Sequence, residues 1–276
     1  THDSNLCCDL FDRNYLSTMK SIKTFLFCVF AIITSASVSP VLAVDLTATN
    51  NLSADPWAVP GAADPSVPAE RKDQIAHQLH EVFVQRGEDA PIGLLFIGDS
   101  ITALWRATWA QETWTNYFAK YEPANFGIGS DATQHVLWRI THGELDGISP
   151  KVVVLLLGTN NIKKNSPQSI AEADAMIIRI IREKLPKTKV LLLGLFPRAH
   201  KTDLPELQVP ERVKAVNALL AKLDDGVNVR FLDIGNQLAP VGKVTPEVYS
   251  DGVHLTAKGL QIWAAAMMPL LQQMMK

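Results

Sequence analysis

Five short, uninterrupted apolar runs punctuate the chain beyond Ile92: Leu94–Ile97, Ala124–Phe126, Val152–Leu157, Val190–Leu193 and Val229–Leu232. Strands with one wet face alternate apolar and polar residues, whereas continuous Val/Leu runs are covered on both faces, which is the mark of a parallel sheet between helical layers. The intervening segments have helical length and spacing. Helices are predicted over 131–142, 167–185, 209–223 and 256–275, with an earlier one over 69–85 that places Ile75, Leu79, Val82 and Phe83 on one face and stops at Gly87. The predicted fold is α/β, a three-layer sandwich around a five-stranded parallel sheet, with the first helix packed outside the main sheet. Ligand sites in such sheets lie at the carboxyl ends of the strands.

Ahead of this block the pattern changes twice. Met19-Lys20-Ser21-Ile22-Lys23 precedes an apolar stretch, Phe25–Ile33, and small residues ending Val41-Leu42-Ala43. A basic region, an apolar core and a small-x-small ending describe an export signal cleaved after Ala43, and the core is too short to span a bilayer. The expectation is export to a periplasm or the medium, with no stable membrane anchor after cleavage. Residues 1–43 are read as an upstream extension plus signal peptide, 44–68 as an extended Pro-rich arm or linker, and 69–276 as the α/β domain. Cys7, Cys8 and Cys28 all precede the proposed cleavage, so the mature chain would hold no disulfide or cysteine-bound metal.

Composition narrows the partners. With 26 basic and 28 acidic residues, a formal net charge of −2 and no long run of either sign, nothing favours nucleic acid or an anionic membrane. A small or neutral substrate is expected, and a second copy of the chain stays open as a homodimeric partner.

The chemistry-bearing residues stand at the ends of the apolar runs. Gly98-Asp99-Ser100 follows the first, and Ser100 taken alone reads first as a cap for a helix starting at Ile101. Asp251-Gly252-Val253-His254 lies just before the last helix. There the Asp251 carboxylate can curl back to hold one imidazole nitrogen of His254 while the other faces a serine. Asn160, in Gly158-Thr159-Asn160-Asn161, presents a side-chain amide that could stabilise an oxyanion, although Asn also favours turns. Gly127-Ile128-Gly129-Ser130-Asp131-Ala132 fits G-x-G-x-x-A, but the acid a dinucleotide site needs about 20 residues on is missing. The Gly129 backbone N–H is therefore read as a second oxyanion donor. An α/β-hydrolase elbow, G-x-S-x-G, is excluded by Thr102 at its last position. His77 and His80 have metal-like spacing without further ligands, Trp138, Trp263 and Met267-Met268 read as packing, and Arg198 either binds an anionic substrate group or braces a loop.

Taken together, Ser100, Gly129, Asn160 and His254 resemble, in order, the four signature blocks of the SGNH, or GDSL, hydrolases. Asn125–Gly129, Gln134–Arg139, Gly143-Glu144-Leu145 and Gly158–Asn161 look like the catalytic subunits of the intracellular platelet-activating-factor acetylhydrolases. The resemblance implies a flavodoxin-like sheet, a Ser100–His254–Asp251 triad and an oxyanion hole from the Ser100 and Gly129 backbones and the Asn160 side chain, with no metal or organic cofactor. Ile101, Thr159 and Val253 adjoin these segments and would wall a small acyl pocket. The expected activity is serine-dependent cleavage of acetyl or other short-acyl esters through an acyl-enzyme, the substrate being a short-acyl lipid or an acetylated sugar. The rivals are a carbohydrate O-acetylesterase and a non-catalytic ligand-binding module on the same scaffold.

Overall fold

The computed structural model describes residues 57, 59, 61–203 and 205–276. The expected export signal and the three cysteines lie outside the described residues. All five strands form where the apolar runs predict: β1 (Leu94–Gly98), β2 (Pro123–Gly127), β3 (Val152–Leu156), β4 (Lys189–Leu193) and β5 (Val229–Leu232). They make one parallel sheet in the order β2-β1-β3-β4-β5. Every residue of β1 and β3 is buried, as non-alternating strands between two helical layers must be.

The helices are α1 (Gln74–Asp89), α2 (Ser100–Ala103), α3 (Gln111–Phe118), α4 (Thr133–Thr141), α5 (Pro167–Lys184), α6 (Val209–Leu220), α7 (Gly235–Leu238) and α8 (Ala257–Met274). α4, α5 and α6 pack side by side on one face, and α3, α7 and α8 on the other. The second layer is tied to β1 by an aromatic cluster in which Phe96 meets Trp114, Phe118 and Trp263, and Trp263 also meets Trp105 and Phe196. Trp263 and Met267 are fully buried and Met268 is partly so, all in core packing. Burying one such large side chain contributes about 2–3 kcal/mol. The cluster fixes α8, and so the loop that enters it, against the strand that leads to Ser100.

Three expectations are corrected. α1 begins at Gln74 rather than residue 69, because Asp73 caps it by accepting the Ala76 N–H at 2.9 Å and the chain before it is held extended. It runs through Gly87, which admits the 146–148 loop: a Cβ there would stand 2.9 Å from Ile148 Cγ2. α4 begins at Thr133 rather than 131, since Ser130 turns the chain at φ 64°. α1 packs Phe83 flat on Phe126 of β2, ring centres 4.7 Å apart.

The arm is stitched to the body. The Ala63 carbonyl accepts Asn165 Nδ2 at 2.9 Å, the Pro65 carbonyl accepts Thr133 Oγ1 at 2.9 Å, and the Ala69 N–H donates to the Gln134 carbonyl at 3.0 Å. Buried Arg212 donates to the Trp57 carbonyl at 2.9 Å. Among the described residues, no helix is long and apolar enough to cross a membrane.

Candidate active site

Strand register sets the site. Gly98 pairs with Gly127 on one side and Leu156 on the other, so the carboxyl ends of β2, β1 and β3 finish level. Two residues beyond Gly98 is Ser100, two beyond Gly127 is Gly129, and the turn after β3 carries Asn160. The site therefore sits where strand order reverses around β1, the usual place for ligands in an open parallel sheet. Gly127 is demanded by crowding: a Cβ there would stand 2.6 Å from the Ala103 amide nitrogen, so only glycine lets β2 end against the serine turn.

Ser100 opens α2 after Asp99, whose Oδ1 accepts the Ile101 N–H at 2.9 Å. Ser100 is thus not the cap itself. Its Oγ lies 2.8 Å from His254 Nε2, and His254 Nδ1 lies 2.7 Å from Asp251 Oδ2. Asp251 Oδ1 accepts the backbone N–H of Val253 at 2.9 Å and of His254 at 2.8 Å. Burial works against the Asp251 charge, but these hydrogen bonds prevail and hold the carboxyl well below the usual range. The Asp251–His254 turn is closed by an antiparallel bridge between Tyr249 and Leu255 and by the Ser250 N–H on the His254 carbonyl at 2.8 Å. Gly252 stands at φ 85°, and a Cβ there would come within 2.3 Å of the Ala199 carbonyl. An ionised carboxylate, an imidazole oriented by it and a hydroxyl on the far ring nitrogen can carry a proton from the hydroxyl during attack on an acyl carbon.

The other two candidate donors flank this relay. Gly129 is buried in the turn after β2. Asn160, half-buried, donates through Nδ2 to the Asp131 carbonyl at 2.8 Å, which fixes the plane of its amide. Ile101, Thr159 and Val253, next in the chain to Ser100, Asn160 and His254, are 2%, 5% and 7% exposed.

This geometry meets the family it resembles. A family model described as GDSL-like Lipase/Acylhydrolase matches residues 96–262, more than half the chain. The chain belongs to the GDSL-like lipase and acylhydrolase family. Among curated relatives, the platelet-activating factor acetylhydrolase IB subunit alpha2 of Rattus norvegicus is 33% identical over 224 residues, 80% of this chain and 93% of its own length. The Homo sapiens protein of that name matches at the same identity and coverage. A solved GDSL-like lipase from Bacteroides thetaiotaomicron covers 70% of this chain and 97% of its own at 20% identity, with a TM-score of 0.58, and so shares the fold.

Within this GDSL-like site the structure decides what the sequence left open about Arg198. Its Nε and Nη2 donate to the two oxygens of Asp203 at 2.9 and 2.8 Å, and Nη1 donates to the Thr159 carbonyl at 3.1 Å. At 9% exposure it braces the Thr159 loop. His80 is likewise structural: its Nδ1 lies 3.1 Å from Glu144 Oε1 in a buried cluster with Arg139, while His77 is exposed. Among the described residues no group of three or more His, Cys, Asp or Glu is placed to hold a metal ion.

Several supporting residues have little sequence signal. Asn161, 1% exposed, accepts the Thr133 N–H at 3.0 Å and donates to Gln134 Oε1 and Asn165 Oδ1, joining the Asn160 and Gly129 turns. Asp131 and Arg139 are buried beside Gly129, with Arg139 Nε on Asp131 Oδ2 at 2.9 Å and Nη2 on the Phe126 carbonyl at 3.0 Å. Burial pushes the Asp131 carboxyl up to about 6, against the pull of Arg139 and Arg71. The Ala132 N–H donates to His135 Nδ1 at 3.0 Å, and burial, aided by Arg71 and Arg139, lowers that imidazole to about 4 and keeps it a neutral acceptor. Adjacency to Gly129 could have pointed to Asp131, but no pattern in the sequence pointed to Arg71.

Proposed function

We propose that this family member is a serine esterase that cleaves acetyl and other short-acyl esters, in the manner of the platelet-activating-factor acetylhydrolases it resembles. Ser100 Oγ attacks the ester carbonyl as its proton passes to His254 Nε2, and Asp251 stabilises the imidazolium that forms. The Ser100 and Gly129 N–H groups and the Asn160 amide take the charge on the carbonyl oxygen. Collapse of the tetrahedral species breaks the carbon–oxygen bond to the alcohol, which leaves with the proton from His254. Water, deprotonated by His254, then attacks the acyl-serine, and the carboxylic acid departs as Ser100 is regenerated.

The observation that carries this reading is the unbroken Ser100–His254–Asp251 chain at 2.8 and 2.7 Å, assembled from residues 154 apart in sequence. The buried Ile101, Thr159 and Val253 side chains support preference for a short acyl group, since branched walls leave little room for a long chain. The test compares p-nitrophenyl acetate, p-nitrophenyl octanoate and acetylated sugars on the wild type and on Ser100→Ala. Acetate should be cleaved faster than octanoate, and Ser100→Ala should lose activity by a factor on the order of 10⁴ or more. Undiminished turnover by that variant would refute the serine assignment, and faster octanoate cleavage would refute the short-acyl pocket. Preference for the acetylated sugars would make the alcohol half a carbohydrate.

A further inference from the structure

We infer that Arg71, in the extended segment between the amino-terminal arm and α1, is a positioning residue that holds the Gly129 and Asn160 oxyanion donors in place through Asp131. The inference rests on the esterase reading above. Arg71 lies in the extended segment before α1, where its Nε donates to Asp73 Oδ2 at 2.7 Å. Its Nη1 reaches 58 residues along the chain to donate to the Gly129 carbonyl, and lies 3.2 Å from Asp131 Oδ1.

Asp131 is the hub of this arrangement. Its main-chain carbonyl holds the Asn160 amide at 2.8 Å. Its own N–H donates to the Ile128 carbonyl at 3.2 Å, and that carbonyl shares a peptide plane with the Gly129 N–H. Arg71 grips the next plane, on the other side of the Gly129 Cα. Glycine resists rotation less than any other residue, so a donor on Gly129 needs both neighbouring planes held from outside. Arg139 fixes the second carboxylate oxygen of Asp131 at 2.9 Å. With Asp131 fully buried and the Arg71 side chain 18% exposed, the pair is shielded from the screening that makes surface ion pairs weak.

The arm fixes the path that leads to Arg71, because the Ala63 hydrogen bond attaches it to the loop that carries Asn160 and the Pro65 and Ala69 bonds attach it to the start of α4, just beyond the Gly129 turn. An oxyanion site acts by being organised before the charge develops, so loosening its donors should cost turnover more than substrate affinity.

The test measures kcat and KM on p-nitrophenyl acetate for the full chain and for Arg71→Ala, Arg71→Lys and Asp131→Asn, with thermal unfolding of each. Arg71→Ala should lower kcat roughly 10- to 100-fold with KM moved by less than about threefold. Arg71→Lys, which keeps the charge but not the planar fork, should fall between wild type and Arg71→Ala. Guanidinium at a non-denaturing concentration should restore part of the lost kcat in Arg71→Ala and none in Ser100→Ala, a response that a merely structural role would not give. A folded Arg71→Ala within about threefold of wild-type kcat would overturn the inference. So would a loss that follows only the unfolded fraction and ignores guanidinium. If Arg71→Ala does not fold, Arg71→Lys decides on the same kcat criterion. Wild-type activity that survives Ser100→Ala overturns the esterase reading, whereas serine-dependent activity unaffected at Arg71 overturns only this inference.

Discussion

Asp99 offers a prediction in which pH, stability and the site meet. Its carboxyl is wholly out of solvent: Oδ1 accepts the Ile101 N–H, while Oδ2 receives no hydrogen bond from the described residues. Burial pushes it up to about 7, opposed by the Ile101 N–H and by the charges of His254 and Arg198, and reinforced by Asp131. Asp174 on α5 is buried with neither oxygen hydrogen-bonded by the described residues, and burial first, then the Asp99 charge, raises it well above the usual range. In the unfolded chain Asp99 returns to an ordinary value near 3.8. Between those values the folded protein holds a proton that the unfolded chain has released. Stability from this group is therefore complete below about pH 4 and is lost as pH rises through about 7.

Each unit of difference is worth about 1.4 kcal/mol, so the full swing is about 4 kcal/mol and the part between about pH 5 and pH 8 about 3 kcal/mol. Asp99→Asn removes the titration while keeping an acceptor for the Ile101 N–H, since Asn caps helices about as well as Asp. Urea unfolding of wild type and variant, followed by tryptophan fluorescence at about pH 5 and pH 8, reads the difference directly. The variant should gain about 3 kcal/mol relative to wild type between the two conditions, always in the direction of greater relative stability at the higher pH. Relief of the charge on Asp174 works in the same direction. Profiles that stay parallel to within about 1 kcal/mol would show that Asp99 is ionised in the folded protein, and the argument from its burial would fall.

Two further outcomes follow from the Asp251–His254 turn. Asp251→Asn removes the acceptor that selects the imidazole tautomer, so kcat on p-nitrophenyl acetate should fall by a factor on the order of 10⁴ with the fold intact by circular dichroism. A fall of less than about tenfold would remove Asp251 from the relay. Gly252→Ala forces a side chain into the left-handed region and against the Ala199 carbonyl, so the variant should lose about 1–3 kcal/mol in thermal unfolding together with turnover. Wild-type values for both would show that the turn accommodates a Cβ.

What the sequence could and could not disclose follows from where each interaction draws its partners. The five strands were legible because burial on two faces writes itself into consecutive residues. Ser100, Gly129 and Asn160 were legible because register places each just beyond a run that was already visible. Beyond Ser100 the local signal fails: Leu104–Arg106 and Thr108–Ala110 are single 3-10 turns separated by extended Ala107, and Trp105 packs by cluster rather than by helical period while Trp109 is exposed. The supports of the proposed oxyanion donors fail for a different reason. Arg71 meets Gly129 across 58 residues and Arg212 meets Trp57 across 155, and no periodicity records a pairing of that kind. A Pro-rich arm without apolar spacing reads as a linker because its attachment is made by backbone carbonyls, which every residue possesses. Composition can show that such a segment lacks a core of its own, but not whether buried donors such as Thr133, Asn165 and Arg212 are waiting for it. Those three side chains are each under 9% exposed with the arm in place, and each such hydrogen bond contributes about 1 kcal/mol. The arm is therefore held to the body by the polar groups it satisfies, and that attachment carries Arg71 to Gly129.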